Sequence, residues 1–106
     1  MGKIKNLQSL TNLLTLALRH RIGIKADKNQ PYANKYQREA DNFFESSRKA
    51  FAKENWNRDD LAKMKKILKD KLIVELEKKD FISDMKFDIM DEEIDKILGE
   101  LRTWTK

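Results

Sequence analysis

The sequence predicts an all-α protein, a compact bundle of about four amphipathic helices formed by a single domain over residues 1–106. Three observations predict it. Only three Gly and one Pro interrupt the 106 residues, too few for the many turns that a β-rich chain needs. Apolar residues recur at steps of three and four, the spacing of one helix face. A chain of this length holds one core and has no room for a second or for a deep catalytic cavity.

The first predicted helix covers residues 4–22. Ile4, Leu7, Leu10, Thr11, Leu14, Ala17, Leu18 and Ile22 share a face, and Leu13 and Leu16 widen it, which predicts contact from two sides. Gly23 stands where a left-handed C-cap would stop the helix. Residues 24–33, with Asp27, Lys28, Asn29, Gln30 and Pro31, read as a polar loop. A second helix follows over residues 34–54, with Tyr36, Ala40, Phe43, Phe44, Ser47, Ala50 and Phe51 in a narrow arc.

The third helix carries the clearest start signal. Asn57 is a good N-cap, and Asp60 three positions on can answer it in a capping box. Trp56 and Leu61 flank that box as a hydrophobic staple. Leu61, Met64, Leu68, Leu72 and Leu76 then form the stripe, while Ile67, Ile73 and Val74 lie off it and predict a central helix with several neighbours. A strict heptad would place Lys71 and Glu75 in the seam, so a coiled coil is not expected.

After an irregular stretch over residues 80–86, Phe87, Met90, Ile94, Ile97, Leu98, Leu101 and Trp104 share the face of a fourth helix. Asp88, Asp91, Glu92 and Glu93 crowd its first turn, where the helix dipole favours anions. Glu45–Lys49, Asp59–Lys63, Glu75–Lys79 and Glu92–Lys96 have the acid four residues ahead of the base, the better order for helix support.

Charge is distributed unevenly. The first 79 residues hold 19 Lys/Arg and 10 Asp/Glu, and the last 27 hold 4 and 8. A basic body with an acidic end points to a polyanion partner or to a charge-matched protein surface. The pI of about 9.4 favours the first. A small-molecule substrate is not expected.

Parts for catalysis are missing. His20 is the lone histidine, flanked by Arg19 and Arg21 and expected at the surface or near a helix end. One histidine cannot supply the paired Glu-x-x-His ligands of a bundle di-iron site. The acids from Asp84 to Asp95 lack the Gly and the alternating register of a calcium loop. There is no Gly-rich phosphate loop and no Cys. Neither an enzyme, a metal nor a cofactor is expected. The absence of Cys fits a cytoplasmic protein, and no apolar run approaches the roughly 18 residues that span a bilayer.

Two basic clusters are the candidate sites. Arg19, Arg21, Lys25 and Lys28 gather at the end of the first helix and in its loop, beside Asn29, Gln30 and Tyr32. Cations next to amides and an aromatic ring suit single-stranded nucleic acid, where bases stack and their edges are read. Lys63, Lys66 and Lys69 form a second cluster on the third helix, diluted by Asp59, Asp70 and Glu77. The expected function is therefore non-catalytic association with RNA or single-stranded DNA through phosphate contacts, within a larger assembly. The alternative is a protein-binding adaptor, inhibitor or immunity-type bundle that engages a partner through Glu92, Glu93 and Trp104, and the wide apolar arc of the first helix leaves room for a second copy of the chain.

Overall fold

The computed structural model describes residues 2–26, 33–78 and 85–104. Five helices run in the order α1 (Gly2–Ala26), α2 (Ala33–Phe51), α3 (Arg58–Glu77), α4 (Met85–Asp88) and α5 (Met90–Trp104). The expected all-α bundle is what forms, in a body of 41 × 23 × 20 Å. Its long axis is about the length of α1 alone, since 25 residues at 1.5 Å each span about 37 Å. No helix among the described residues is long and apolar enough to cross a membrane.

The predicted stripes supply the core. Leu10, Leu14, Ala17, Leu18 and Ile22 of α1 meet Met64, Leu68, Leu72 and Leu76 of α3 and Met90, Ile94, Ile97, Leu98 and Leu101 of α5. Phe51 closes one end from α2, and Ala40 is buried as its small size suggests. Thr11 and Thr15 are also buried, their hydroxyls donating to the carbonyls of Leu7 at 2.9 Å and Thr11 at 2.7 Å. Ser47 does the same towards Phe43 at 2.8 Å. Such back-bonding satisfies a hydroxyl without a cross-helix partner.

The central helix is α1, not α3. It packs against all four other helices, which is why its apolar arc is so wide. The off-stripe residues of α3 are correspondingly less covered, with Ile67 and Ile73 half-buried and Val74 52% exposed. Other expectations also need correction. Gly23 does not end α1. It is buried inside a helix that continues to Ala26, and no described glycine has positive φ. The extra turn carries Lys25 to the negative end of the helix dipole. Ile4 is 67% exposed, and Phe87 at 37% belongs to the short α4 and not to the α5 face. Residues 27–32, with the expected loop cluster around Lys28, lie outside the described residues, as does the side chain of Trp104.

The α2–α3 corner follows from named contacts. The second helix stops at Phe51, three residues short of expectation, because the indole Nε1 of Trp56 donates to the Phe51 carbonyl at 2.7 Å. The same carbonyl also takes the Glu54 N–H, at a longer 3.5 Å. The Trp56 and Phe51 rings stack at 6.0 Å. Asn57 then caps α3 as predicted, its Oδ1 accepting from the Asp60 N–H at 2.8 Å while its own N–H donates to Asp60 Oδ2 at 3.0 Å.

Candidate nucleic-acid interface

Successive residues on a helix point about 100° apart, so Arg19, His20 and Arg21 cannot share one surface. Arg19 turns to α3, where its Nη1 lies 3.3 Å from Glu75. His20 turns to α2. Arg21 turns to α5 and grips Glu100 with both terminal nitrogens, at 2.9 and 3.1 Å. Its guanidinium also lies over the Phe44 ring at 5.0 Å, so one side chain ties α1, α2 and α5 together. Lys25, one turn further on, donates to Glu93 at 2.5 Å. Three of the four cations in the favoured cluster therefore face carboxylates of their own chain. The fourth, Lys28, is outside the described residues.

The lysines of α3 divide by helix phase. Lys65 and Lys69 lean over the seam to Asp95 at 2.8 Å and Asp91 at 3.6 Å on α5. The Asp95 carboxylate beside Lys65 holds that ammonium above its ordinary pKa. Lys71 bonds Asn12 of α1. Lys63 and Lys66 are exposed and make no ion pair among the described residues. Asp59, Asp70 and Glu77 are exposed as well.

From the acidic side the pattern is plainer still. Asp91, Glu93, Asp95 and Glu100 of α5 each take a cation from α1 or α3. Glu93, named above as a partner-binding candidate, is 2% exposed and so presents no surface to a partner. Glu92 is exposed. Part of the charge split read from the sequence is thus spent on ties between helices, four acids of α5 against four cations of α1 and α3.

A different arrangement appears at the other pole. The corner after α2 (residues 52–57), the first turn of α3 and the end of α5 enclose a cavity of about 520 Å³. Arg58, Arg102, Asn55 and Glu54 line it, over a floor of Phe51, Trp56 and Leu61. Lys53 is exposed beside it, and neither Lys53 nor Arg58 makes an ion pair among the described residues. The first turn of α1 reaches the same pole. Lys3 bridges to Asp60 at 2.7 Å and lies over the Trp56 ring at 5.7 Å. With Phe51 on the Trp56 ring and Lys3 near it, the indole serves as a wall and not as a platform for base stacking.

Two features were not foreseen from the sequence. One is Glu39, which meets His20 across the α1–α2 contact at 2.6 Å. The ring is 7% exposed, wedged between Tyr36 at 5.3 Å and Phe43 at 5.4 Å, so His20 is an interior residue and not a surface one. Its position one turn after Leu16 and two before Lys28 gave no sign of the acid. The other is the pairing of Arg58 with Arg102 around one cavity, since 44 positions separate them in the chain. No protein-family model, no curated protein and no solved structure matches the chain.

Proposed function

We propose that this is a non-catalytic, nucleic-acid-associated helical protein that contacts phosphates of RNA or single-stranded DNA. Its principal contact is the α2–α3 corner, with Lys63 and Lys66 as outlying contacts. The observation that carries this reading is the cavity lined by Arg58 and Arg102, two guanidinium groups from separate helices, together with the Asn55 amide. Guanidinium groups fork onto phosphate oxygens with defined geometry, where a lysine offers a point charge. Lys53 at the rim adds charge without a carboxylate partner among the described residues. Glu54 opposes it, which limits the field and argues for a few localised phosphates in place of a long track.

This moves the footprint away from Arg19, Arg21 and Lys25, whose charges meet Glu75, Glu100 and Glu93. Fluorescence anisotropy with short labelled RNA and single-stranded DNA tests it. Replacing Arg58 and Arg102 together by Gln should weaken binding about tenfold or more and flatten the log–log salt dependence by about two, one for each phosphate no longer neutralised. Arg58→Gln alone should leave thermal stability within about 0.5 kcal/mol, as expected of a surface change. Wild-type protein that binds neither nucleic acid at low micromolar concentration and about 100 mM salt would end the reading.

A second reading has one observation in its favour. An apolar groove between α1 and α3, with Leu16 and the exposed Val74 in it, is edged by Asn12, Asp70, Lys71 and Glu75. A protein partner would find more apolar area there than on the acidic face of α5, where Glu93 is buried. Failure to bind nucleic acid, together with a protein partner that Val74→Asp no longer retains, would support it.

A further inference from the structure

His20 faces two oxygens at once. Its Nδ1 lies 2.7 Å from the carbonyl oxygen of Leu16, one turn earlier on α1. Its Nε2 lies 2.6 Å from Oε2 of Glu39 on α2. A carbonyl oxygen only accepts, so Nδ1 must carry a hydrogen. A neutral ring protonated at Nδ1 has a bare lone pair on Nε2, and an ionised carboxylate also only accepts. Two acceptors at 2.6 Å would repel and leave a buried ring nitrogen unsatisfied, which is costly. The distances are met only if a second proton sits between Nε2 and Oε2, as imidazolium with carboxylate or as imidazole with carboxylic acid. We infer that His20 and Glu39 hold this second proton in common, and that it latches α1 to α2, so that the contact closes on acidification and loosens when the proton leaves.

The surroundings are consistent with a latch whose proton comes and goes. The ring is enclosed by Tyr36, edge-on at 73°, and by Phe43. Glu39 is 37% exposed and reaches solvent, which gives the proton a way in and out. On α2 the other charged neighbour is Lys35, 4.0 Å from the second oxygen of Glu39 and mostly in solvent. On α1 the flanking Arg19 and Arg21 are turned onto Glu75 of α3 and Glu100 of α5. The pair sits in the most extensive helix–helix contact of the fold. Without the second proton Nε2 and Oε2 face each other with no hydrogen between them, so the contact weakens once that proton leaves.

The 106-residue chain can be tested directly, because His20 is its lone histidine and gives one set of ring nitrogen signals. As pH is raised from acid to alkaline, the folded-to-unfolded ratio of the wild type should fall roughly tenfold relative to Glu39→Gln. The Gln amide can donate to a neutral Nε2 while Nδ1–H still serves Leu16, so that variant keeps the contact without the second proton. Nitrogen-15 spectra of the ring, read with carbon-13 spectra of the Glu39 carboxyl near pH 5, should show either both ring nitrogens protonated or a neutral ring beside a protonated Glu39 carboxyl. Parallel stability curves for the two proteins would overturn the proposal. If Glu39→Gln does not fold, the wild-type spectrum decides alone: a bare Nε2 facing an ionised Glu39 overturns it.

Discussion

The seam around α5 and the corner between α2 and α3 use the same residue types to opposite ends. In the seam, Arg21, Lys25, Lys65 and Lys69 each meet an acid of α5, and Glu93 among those acids is buried. At the corner, Lys53 and Arg58 stand exposed beside a cavity, and rigidity comes from a capping box and a stacked indole. A cation count treats the two alike. Helix phase separates them, because a lysine that leans over a seam acts as a structural tie and one turned outward remains available to a ligand.

The largest expected effect lies in the seam. Lys25→Gln leaves the Glu93 carboxylate buried without its cation and should cost about 2–3 kcal/mol in denaturant unfolding, the partly exposed Lys25 keeping this below the full value for a buried pair. Lys25→Gln, Glu93→Gln together should recover much of that loss. A small effect of the single change would put the seam on the same footing as the corner. Next is Asn57→Ala, which removes a cap at the corner and should cost about 1 kcal/mol, with no change in the seam pairs by NMR.

The smallest effect is a pH dependence at the corner. The Lys3 ammonium beside Asp60, together with the Asn57 backbone N–H, holds that carboxyl below its ordinary pKa. Stability from this group is therefore fully present above about pH 3.9, the unfolded value, and is lost as pH falls through the lower folded one. Asp60→Asn should flatten the acid limb of the stability curve, and Lys3→Met should do so to a similar degree. Acid limbs that superimpose on the wild type would remove Lys3 as the cause.

Local features were legible in the sequence, and features set by distant parts of the chain were not. The Leu61–Leu76 stripe and the Asn57–Asp60 box form as read, because periodicity and capping lie within a few residues. Gly23 misled for the opposite reason. A local stop signal was overridden by burial and by the tie of Lys25 to a residue 68 positions away. Among the described residues the expected i,i+4 supports failed similarly. Glu45 bonds Arg48 at i+3, and Asp59–Lys63 and Glu92–Lys96 do not close to ion-pair distance, while Lys79, the expected partner of Glu75, lies outside the described residues. The Arg48 guanidinium beside Glu45 holds that carboxyl low. The first basic cluster looked like one patch because four cations are close in sequence. On a helix, closeness in sequence scatters side chains around the axis, and the carboxylate partners of Arg19, Arg21 and Lys25 come from two other helices, α3 and α5.

The ties of α1 to α5 have a consequence for synthesis, because they join segments up to 79 residues apart. As the chain emerges from the ribosome, α1 comes first and waits for α5 through the manufacture of everything between. Over that interval the nascent segment holds 19 cations against 10 anions and an uncovered leucine stripe. It is then at its stickiest towards polyanions and towards other apolar surfaces. The acidic helix ends that exposure as it docks on α1.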